Sequence, residues 1–120
     1  MNLPAKEEVL NYVNNVRGQY FNLDKELTAI ANKFDVTSAQ MQVLWLLSKN
    51  SGQTLTELSQ IYKSSVPTFS GILKRMKIKN LITVYKDDID TRRSYITVTE
   101  KGVSIQEHSW KIATQTIGKK

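Results

Sequence analysis

The fold is decided by residues 54–76, which read TLTELSQIYKSSVPTFSGILKRM. The stretch opens on a capping box, in which the side chains of Thr54 and Glu57 each accept a hydrogen bond from the other residue's backbone N–H. The box predicts a short helix. Its inward-facing apolar residues are expected to be Leu55, Leu58 and Ile61.

A second helix is predicted to begin a few residues later. Ser64 and Ser65 are both suitable N-caps, and Pro67 is tolerated in the first turn, where its missing N–H would be unpaired anyway. Apolar residues then follow the i, i+3, i+4, i+7 rule of a helix with one buried face, and they are Phe69, Ile72, Leu73 and Met76. The two helices together form a predicted helix-turn-helix.

After Asn80 the pattern becomes that of β-strands. Residues 81–86 (LITVYK) and 94–99 (SYITVT) are rich in β-branched and aromatic side chains, and a charged turn separates them. This pattern predicts a β-hairpin. Thr99 is then placed to cap a final helix.

The residues before the helix-turn-helix predict two further helices. One is long and amphipathic, with a near-heptad seam of Val9, Val13, Val16, Tyr20, Leu23, Leu27, Ile30 and Phe34. A seam of this length usually packs on another helix, in the same chain or in a partner. The next helix opens at Thr37, with Gln40 completing a capping box, and its apolar composition predicts that it is largely buried.

This order of elements predicts a mainly α fold with a small β-hairpin wing, an α+β winged helix-turn-helix. We expect residues 1–120 to form a single domain, consistent with the usual size of domains. Within it, residues 1–35 are predicted to be an N-terminal dimerisation helix, 36–100 the winged helix-turn-helix, and 101–120 a C-terminal helix.

Composition and charge narrow the class of function. The chain has no cysteine and no apolar run long enough to cross a bilayer, so we expect a cytoplasmic protein that does not contact a membrane. Its net charge is +6, and residues 63–93 hold eight basic and three acidic residues, a difference of +5. A concentrated basic surface suits a partner that carries phosphates, although a solvated face would give the same composition.

The second helix of the helix-turn-helix carries the candidate DNA contacts. With its apolar residues buried, a rotation of 100° per residue turns Pro67, Gly71 and Lys74 to the opposite side. Thr68, Ser70 and Arg75 lie on the flanks of that side. Small hydroxyl residues permit close approach to base edges in a major groove, while Lys mainly contacts phosphate. An ordinary amphipathic helix with a solvated basic face is the alternative interpretation.

The turn of the hairpin carries the second group of candidates. Arg92 and Arg93 could enter a minor groove, where the negative potential is high. Asp90 could hold one of these guanidinium groups by an ion pair, which would explain an acid in a DNA-facing loop. A charged, water-facing hairpin tip is the alternative.

Several of these motifs, in this order, resemble the MarR family of bacterial regulators. They are LTELS at 55–59, SSVPTFS at 64–70, KNLI at 79–82, the wing Asp90-Thr-Arg92, and VTEKG at 98–102, in which Val98 stands where the family has Leu. The resemblance covers residues 37–102 and implies a homodimer that binds a pseudo-palindromic operator on double-stranded DNA. It also implies repression that ends when a small-molecule effector, often phenolic, binds between the dimerisation and DNA-binding regions.

The expected DNA-binding residues are Ser64, Ser65, Pro67, Thr68, Ser70, Gly71, Lys74, Arg75, Asp90, Arg92 and Arg93. The expected dimerisation residues are Val9, Val13, Val16, Tyr20, Leu23, Leu27, Ile105 and Ile112. The sequence departs from the family after Gly102, where 18 residues leave room for one helix instead of two. That departure favours an alternative function, a winged-helix protein-interaction module or an antagonist that pairs with a related regulator. Nonspecific architectural DNA binding is a third.

Other chemistry is not expected. The acids of residues 87–90 do not form a calcium loop, because such a loop needs an acceptor and then a glycine at the positions of Arg92 and Arg93. The single histidine, His108, has no partners for catalysis in the sequence pattern, and no phosphate-binding loop or nucleophile set is present. We therefore expect no catalytic residues, no metal, no cofactor and no enzymatic activity.

Overall fold

The computed structural model describes residues 5–50, 52–90 and 92–118. Their elements, in chain order, are α1 (Lys6–Asn32), α2 (Ser38–Lys49), α3 (Leu55–Tyr62), α4 (Val66–Ile78), β1 (Ile82–Lys86), β2 (Ser94–Val98) and α5 (Glu100–Thr116). This is the predicted order, so the mainly helical fold with a hairpin wing is confirmed. The outer ends of the predicted N- and C-terminal segments, residues 1–4 and 119–120, lie outside the described residues.

Side-chain caps fix where the helices begin. Thr37 forms a full capping box with Gln40 at the start of α2, and Thr54 forms another with Glu57 at the start of α3. Thr99 caps α5 by accepting a hydrogen bond from the backbone N–H of Gly102 at 3.1 Å. These caps are confirmed as the sequence predicted them, because each depends only on residues three positions apart.

The core surrounds α2, which packs against α1, α4 and α5. Its largest fully buried side chains include Phe69, Met41, Leu44, Met76 and Leu81. Because α4 contributes to this core, its orientation relative to the rest of the chain is fixed by packing rather than by its turn alone. The opposite face of α4 is left exposed.

The predicted inward position of Ile61 is wrong. The inward face of α3 consists of Leu55, Leu58, Ser59 and Tyr62, an i, i+3, i+4, i+7 set that leaves Ile61 to one side. The Tyr62 ring packs instead on Phe69 of α4, with 5.6 Å between ring centroids. The aromatic pair thus joins the two helices of the helix-turn-helix.

The wing is a two-stranded antiparallel hairpin, β1–β2, in which Ile82 pairs with Val98 and Lys86 with Ser94. An isolated bridge between Thr54 and Tyr95 attaches the hairpin to the start of α3. The wing is therefore anchored to the helix-turn-helix as well as to the chain on either side of it.

Gly102 lies where α5 meets the base of the hairpin. A Cβ at this position would overlap the carbonyl oxygen of Leu81 and stand 2.5 Å from Cγ1 of Val98. The backbone N–H of Thr99 donates to the same Leu81 oxygen at 3.0 Å, so this oxygen is already held in place. The close approach of α5 to the hairpin therefore requires glycine.

Candidate nucleic-acid interface

The first turn of α4 is built from exposed hydroxyl groups. Ser65 is the N-cap: its Oγ accepts from the backbone N–H of Thr68 at 3.2 Å and donates to the Thr68 hydroxyl at 2.9 Å. The hydroxyl of Ser64 donates to the Ser65 carbonyl at 3.2 Å. Of the two candidate N-caps, Ser64 and Ser65, the chain therefore uses Ser65. This end of the helix therefore offers small polar side chains to a ligand.

The outward face of α4 has the composition expected for contact with DNA. Pro67, Ser70, Lys74 and Arg75 are exposed, and Gly71, which is partly exposed, leaves open space where a Cβ would be. Within residues 5–50, 52–90 and 92–118, neither Lys74 nor Arg75 forms an ion pair. Their charges therefore face solvent.

The hairpin turn is organised by Asp87. Its carboxylate Oδ1 accepts from the backbone N–H of Ile89 at 2.8 Å and of Asp90 at 3.3 Å, and Oδ2 accepts from the Tyr95 hydroxyl at 3.2 Å. The hydrogen bond from Ile89, then that from Asp90, holds the pKa of Asp87 below its usual value. The sequence pattern suggested only a metal-binding role for Asp87, which was rejected, and its part in shaping the turn was missed.

Asp90 holds Arg92 in a fork. The carboxylate accepts from Nε of Arg92 at 3.0 Å and from Nη2 at 3.3 Å, and it also accepts from the Arg92 backbone N–H at 3.1 Å. The predicted ion pair is confirmed, and the side-chain hydrogen bond from Arg92 lowers the pKa of Asp90. The Arg92 side chain is still 89% exposed, so the guanidinium is oriented and accessible at once.

Arg93 has a different partner, which the sequence pattern did not indicate. Its guanidinium lies 3.9 Å from the carboxylate of Glu57, the residue that completes the cap of α3. The Thr54 hydroxyl and backbone N–H donate to that carboxylate and lower the pKa of Glu57. Arg93 thus forms a long, half-exposed ion pair between the wing and α3, and of the two arginines Arg92 is the more exposed.

A cleft of about 290 Å³ separates α4 from the wing. Its lining residues are Leu55, Ser70, Leu73, Lys74, Lys77, Val84, Ser94 and Ile96. The exposed face of α4 and the hairpin therefore flank one concavity. This proximity allows a single duplex to touch both.

The predicted dimerisation residues divide into two groups. Val9, Val13, Val16, Tyr20 and Leu23 are exposed along α1. Leu27 and Ile105 are buried in the chain's own core, and Ile112 is half-buried against it. The prediction that Leu27 and Ile105 face a partner is corrected, because both belong to the chain's own buried core, in which α1 packs on α2 and α5.

A larger cavity, of about 590 Å³, lies between α2, α3 and α5. Trp45 and Trp110 line it in an edge-to-face pair with ring centroids 5.1 Å apart, and Tyr62 closes its α3 side. The indole N–H of Trp45 donates to the Ser109 hydroxyl at 2.9 Å, so that ring is fixed. The cavity is aromatic and lies next to the helix that precedes α4.

The part of the chain that the structure describes lacks both a membrane-spanning helix and a metal-binding cluster. None of its helices is both long and apolar enough to cross a membrane. It also contains no group of three or more His, Asp or Glu side chains that could hold a metal ion.

These elements define a winged helix-turn-helix protein whose second helix, α4, has a basic outward face. The sequence model of the MarR family matches residues 36–94. The structure resembles that of MepR from S. aureus in a DNA complex, with a TM-score of 0.81 and 26% identity over 90% of this chain and 82% of that one. A mutant of MarR from E. coli complexed with operator DNA has the same fold, with a TM-score of 0.86 and 19% identity over 97% of this chain and 83% of that one.

The chain belongs to the MarR family of winged helix-turn-helix proteins. The transcriptional repressor IacR of Pseudomonas putida is 24% identical over 100 residues, which are 83% of this chain and 58% of that protein. The regulator Hpr of Geobacillus sp. is 24% identical over 83 residues, 69% of this chain and 41% of that protein. The chain thus spans between two fifths and three fifths of the length of these curated relatives.

Proposed function

We propose that the chain is a sequence-specific DNA-binding regulator of transcription, a repressor of the MarR type that acts in the cytoplasm. One observation carries the proposal: the solvent-facing basic helix α4 and the hairpin line the same cleft, and the turn of that hairpin carries an oriented, exposed guanidinium. In this arrangement α4 enters the major groove with its N-terminal hydroxyls toward the bases. Arg92 enters the adjacent minor groove, where the negative potential attracts cations.

The contacts divide by their chemistry. Lys74 contacts a phosphate and contributes affinity without sequence preference, since an ammonium group on a flexible stem reads no base pattern. Thr68, Ser70 and Arg75 can hydrogen-bond to base edges in the major groove. Arg92 reads the width and potential of the minor groove, which depend on sequence. Asp90 acts through Arg92 by fixing the guanidinium plane.

We further propose that two copies bind one duplex through α1. The exposed apolar residues of α1 form a stripe that the described residues of one copy leave uncovered, and single chains rarely expose an apolar surface of that extent. Two-fold symmetry would set the two copies of α4 about 34–36 Å apart, one turn of DNA.

A small-molecule effector would occupy the aromatic cavity beside Trp45 and Trp110, since Tyr62 at its edge packs on Phe69 of α4.

Enrichment of duplexes from a random-sequence pool tests the proposal. The expected result is a two-fold symmetric motif whose half-sites lie one helical turn apart, recovered by the unmodified chain and more weakly enriched with Arg92→Ala. Recovery of unrelated sequences would indicate nonspecific architectural binding instead. Recovery of no DNA, together with pairing to a related regulator through α1, would favour the interaction module.

A further inference from the structure

Ile89 is the residue at the tip of the wing. It is 97% exposed, the highest value among the exposed large apolar residues that the structure describes. Its backbone N–H is held by Asp87 at 2.8 Å, and the turn is closed by hydrogen bonds from Asp87 N to Arg93 O and from Arg93 N to Asp90 O, both 3.0 Å. The backbone that presents this side chain is therefore held by hydrogen bonds.

Two of the three acids in the turn accept hydrogen bonds from groups of the wing itself. Asp87 accepts from the backbone of the turn and from Tyr95, and Asp90 accepts from Arg92. Lys86, Arg92 and Arg93 balance Asp87, Asp88 and Asp90, so the turn as a whole carries no net charge. Net attraction to phosphate cannot supply the wing's affinity, and the exposed side chains of the turn include Ile89, the Arg92 guanidinium and the Asp88 carboxylate.

We infer that Ile89 is a DNA-contacting residue, which packs against the deoxyribose edges of the minor groove beside Arg92. The inference rests on the proposed function and adds to it a contact that charge does not explain. The walls of the minor groove are sugar C–H groups, and apolar side chains are known to pack into that groove in other DNA-binding proteins. A branched aliphatic side chain next to a cation fits this surface, since the cation enters toward the base edges.

A lipid surface is the competing partner for an apolar tip beside a cation. It is less suitable here, because membrane association needs several apolar residues together with a net positive charge, and this turn offers one isoleucine and no net charge. The proximity of the wing to the basic face of α4 also favours a duplex.

Two variants of similar shape test the contact. Ile89→Val keeps a branched apolar side chain, and Ile89→Thr replaces one methyl of that valine with a hydroxyl, so the pair differs in polarity and not in size. Affinity for an enriched duplex is measured by fluorescence anisotropy at several salt concentrations. Ile89→Val should bind close to the unmodified chain and Ile89→Thr about fivefold more weakly than Ile89→Val. The slope of log affinity against log salt should be the same for both, because no phosphate contact is lost.

Three results would overturn the inference, and they are distinguishable. Equal affinities of the valine and threonine variants, with the unmodified chain binding DNA, would remove Ile89 from the interface and leave the proposed function intact. An unmodified chain that binds no duplex would overturn the function and this contact with it. Binding to phosphatidylglycerol vesicles that is lost with Ile89→Thr would assign the tip to a membrane surface.

Discussion

Replacing Gly102 with alanine tests how α5 is joined to the wing. The new Cβ would stand 2.5 Å from Cγ1 of Val98, whereas carbon atoms in favourable contact lie about 3.5–4.0 Å apart, so roughly 1 Å must be gained. The Leu81 oxygen on the other side cannot retreat without lengthening its 3.0 Å hydrogen bond from Thr99. The hairpin base and the first turn of α5 must therefore separate.

The loss of unfolding free energy expected for Gly102→Ala depends on which atoms the new Cβ would overlap. Substitutions that overpack a core commonly lower the free energy of unfolding by about 1–3 kcal/mol. The upper end of this range applies here, because a backbone oxygen is one of the overlapping atoms. Gly71→Ala is the matched control, because Gly71 is also helical and a Cβ there would meet no atom within 4 Å. The free energy of unfolding of that variant should rise by about 0.5–1 kcal/mol, because alanine has a better helix propensity than glycine.

Urea unfolding followed by circular dichroism measures both free energies. Chain concentration must be held constant, since the stability of a dimer depends on it. We expect Gly102→Ala to lower the unfolding midpoint with little change in the denaturant slope, and Gly71→Ala to raise it. Free energies of unfolding within about 1 kcal/mol of each other for the two variants would refute the argument.

Three further predictions concern the proposed interface and dimer. Arg92→Ala should weaken binding to an enriched duplex by about ten- to a hundredfold in fluorescence anisotropy. Asp90→Ala should weaken it less, because this variant keeps the Arg92 guanidinium and removes only the carboxylate that orients it. Equal losses of affinity in the two variants would argue against a role of Asp90 in orienting Arg92. Lys74→Gln should reduce the slope of log affinity against log salt by about one, and an unchanged slope would mean that Lys74 touches no phosphate. Val16→Glu combined with Leu23→Glu should give a monomer in sedimentation velocity with much weaker DNA binding, whereas a persisting dimer would locate the interface away from α1.

Features that depend on neighbouring residues could be predicted from the sequence. The capping boxes at Thr37 and Thr54 are local hydrogen-bond patterns, and the fork between Asp90 and Arg92 joins residues two positions apart. The hairpin was predicted from two segments rich in β-branched and aromatic residues with a charged turn between them. In each case the physical cause lies within a few residues of the chain.

Features that depend on distant packing could not be predicted. A heptad seam has the same pattern whether it packs within its own chain or on a partner, so periodicity could not distinguish the buried Leu27 from the exposed Val16. The pairing of Arg93 with Glu57 joins residues far apart in sequence and arises only once the wing lies against α3. Ile61 was misassigned because a short helix leaves two overlapping choices of inward face.

The specificity ratio of the unmodified chain tests the central claim most directly. The measurement compares affinity for the duplex enriched from a random pool with affinity for a duplex of the same composition in shuffled order, at physiological salt. A sequence-specific regulator should prefer the enriched duplex by about a thousandfold or more. Equal affinity for the two duplexes would contradict the account, because the basic face of α4 and the oriented Arg92 would then bind phosphates without reading sequence.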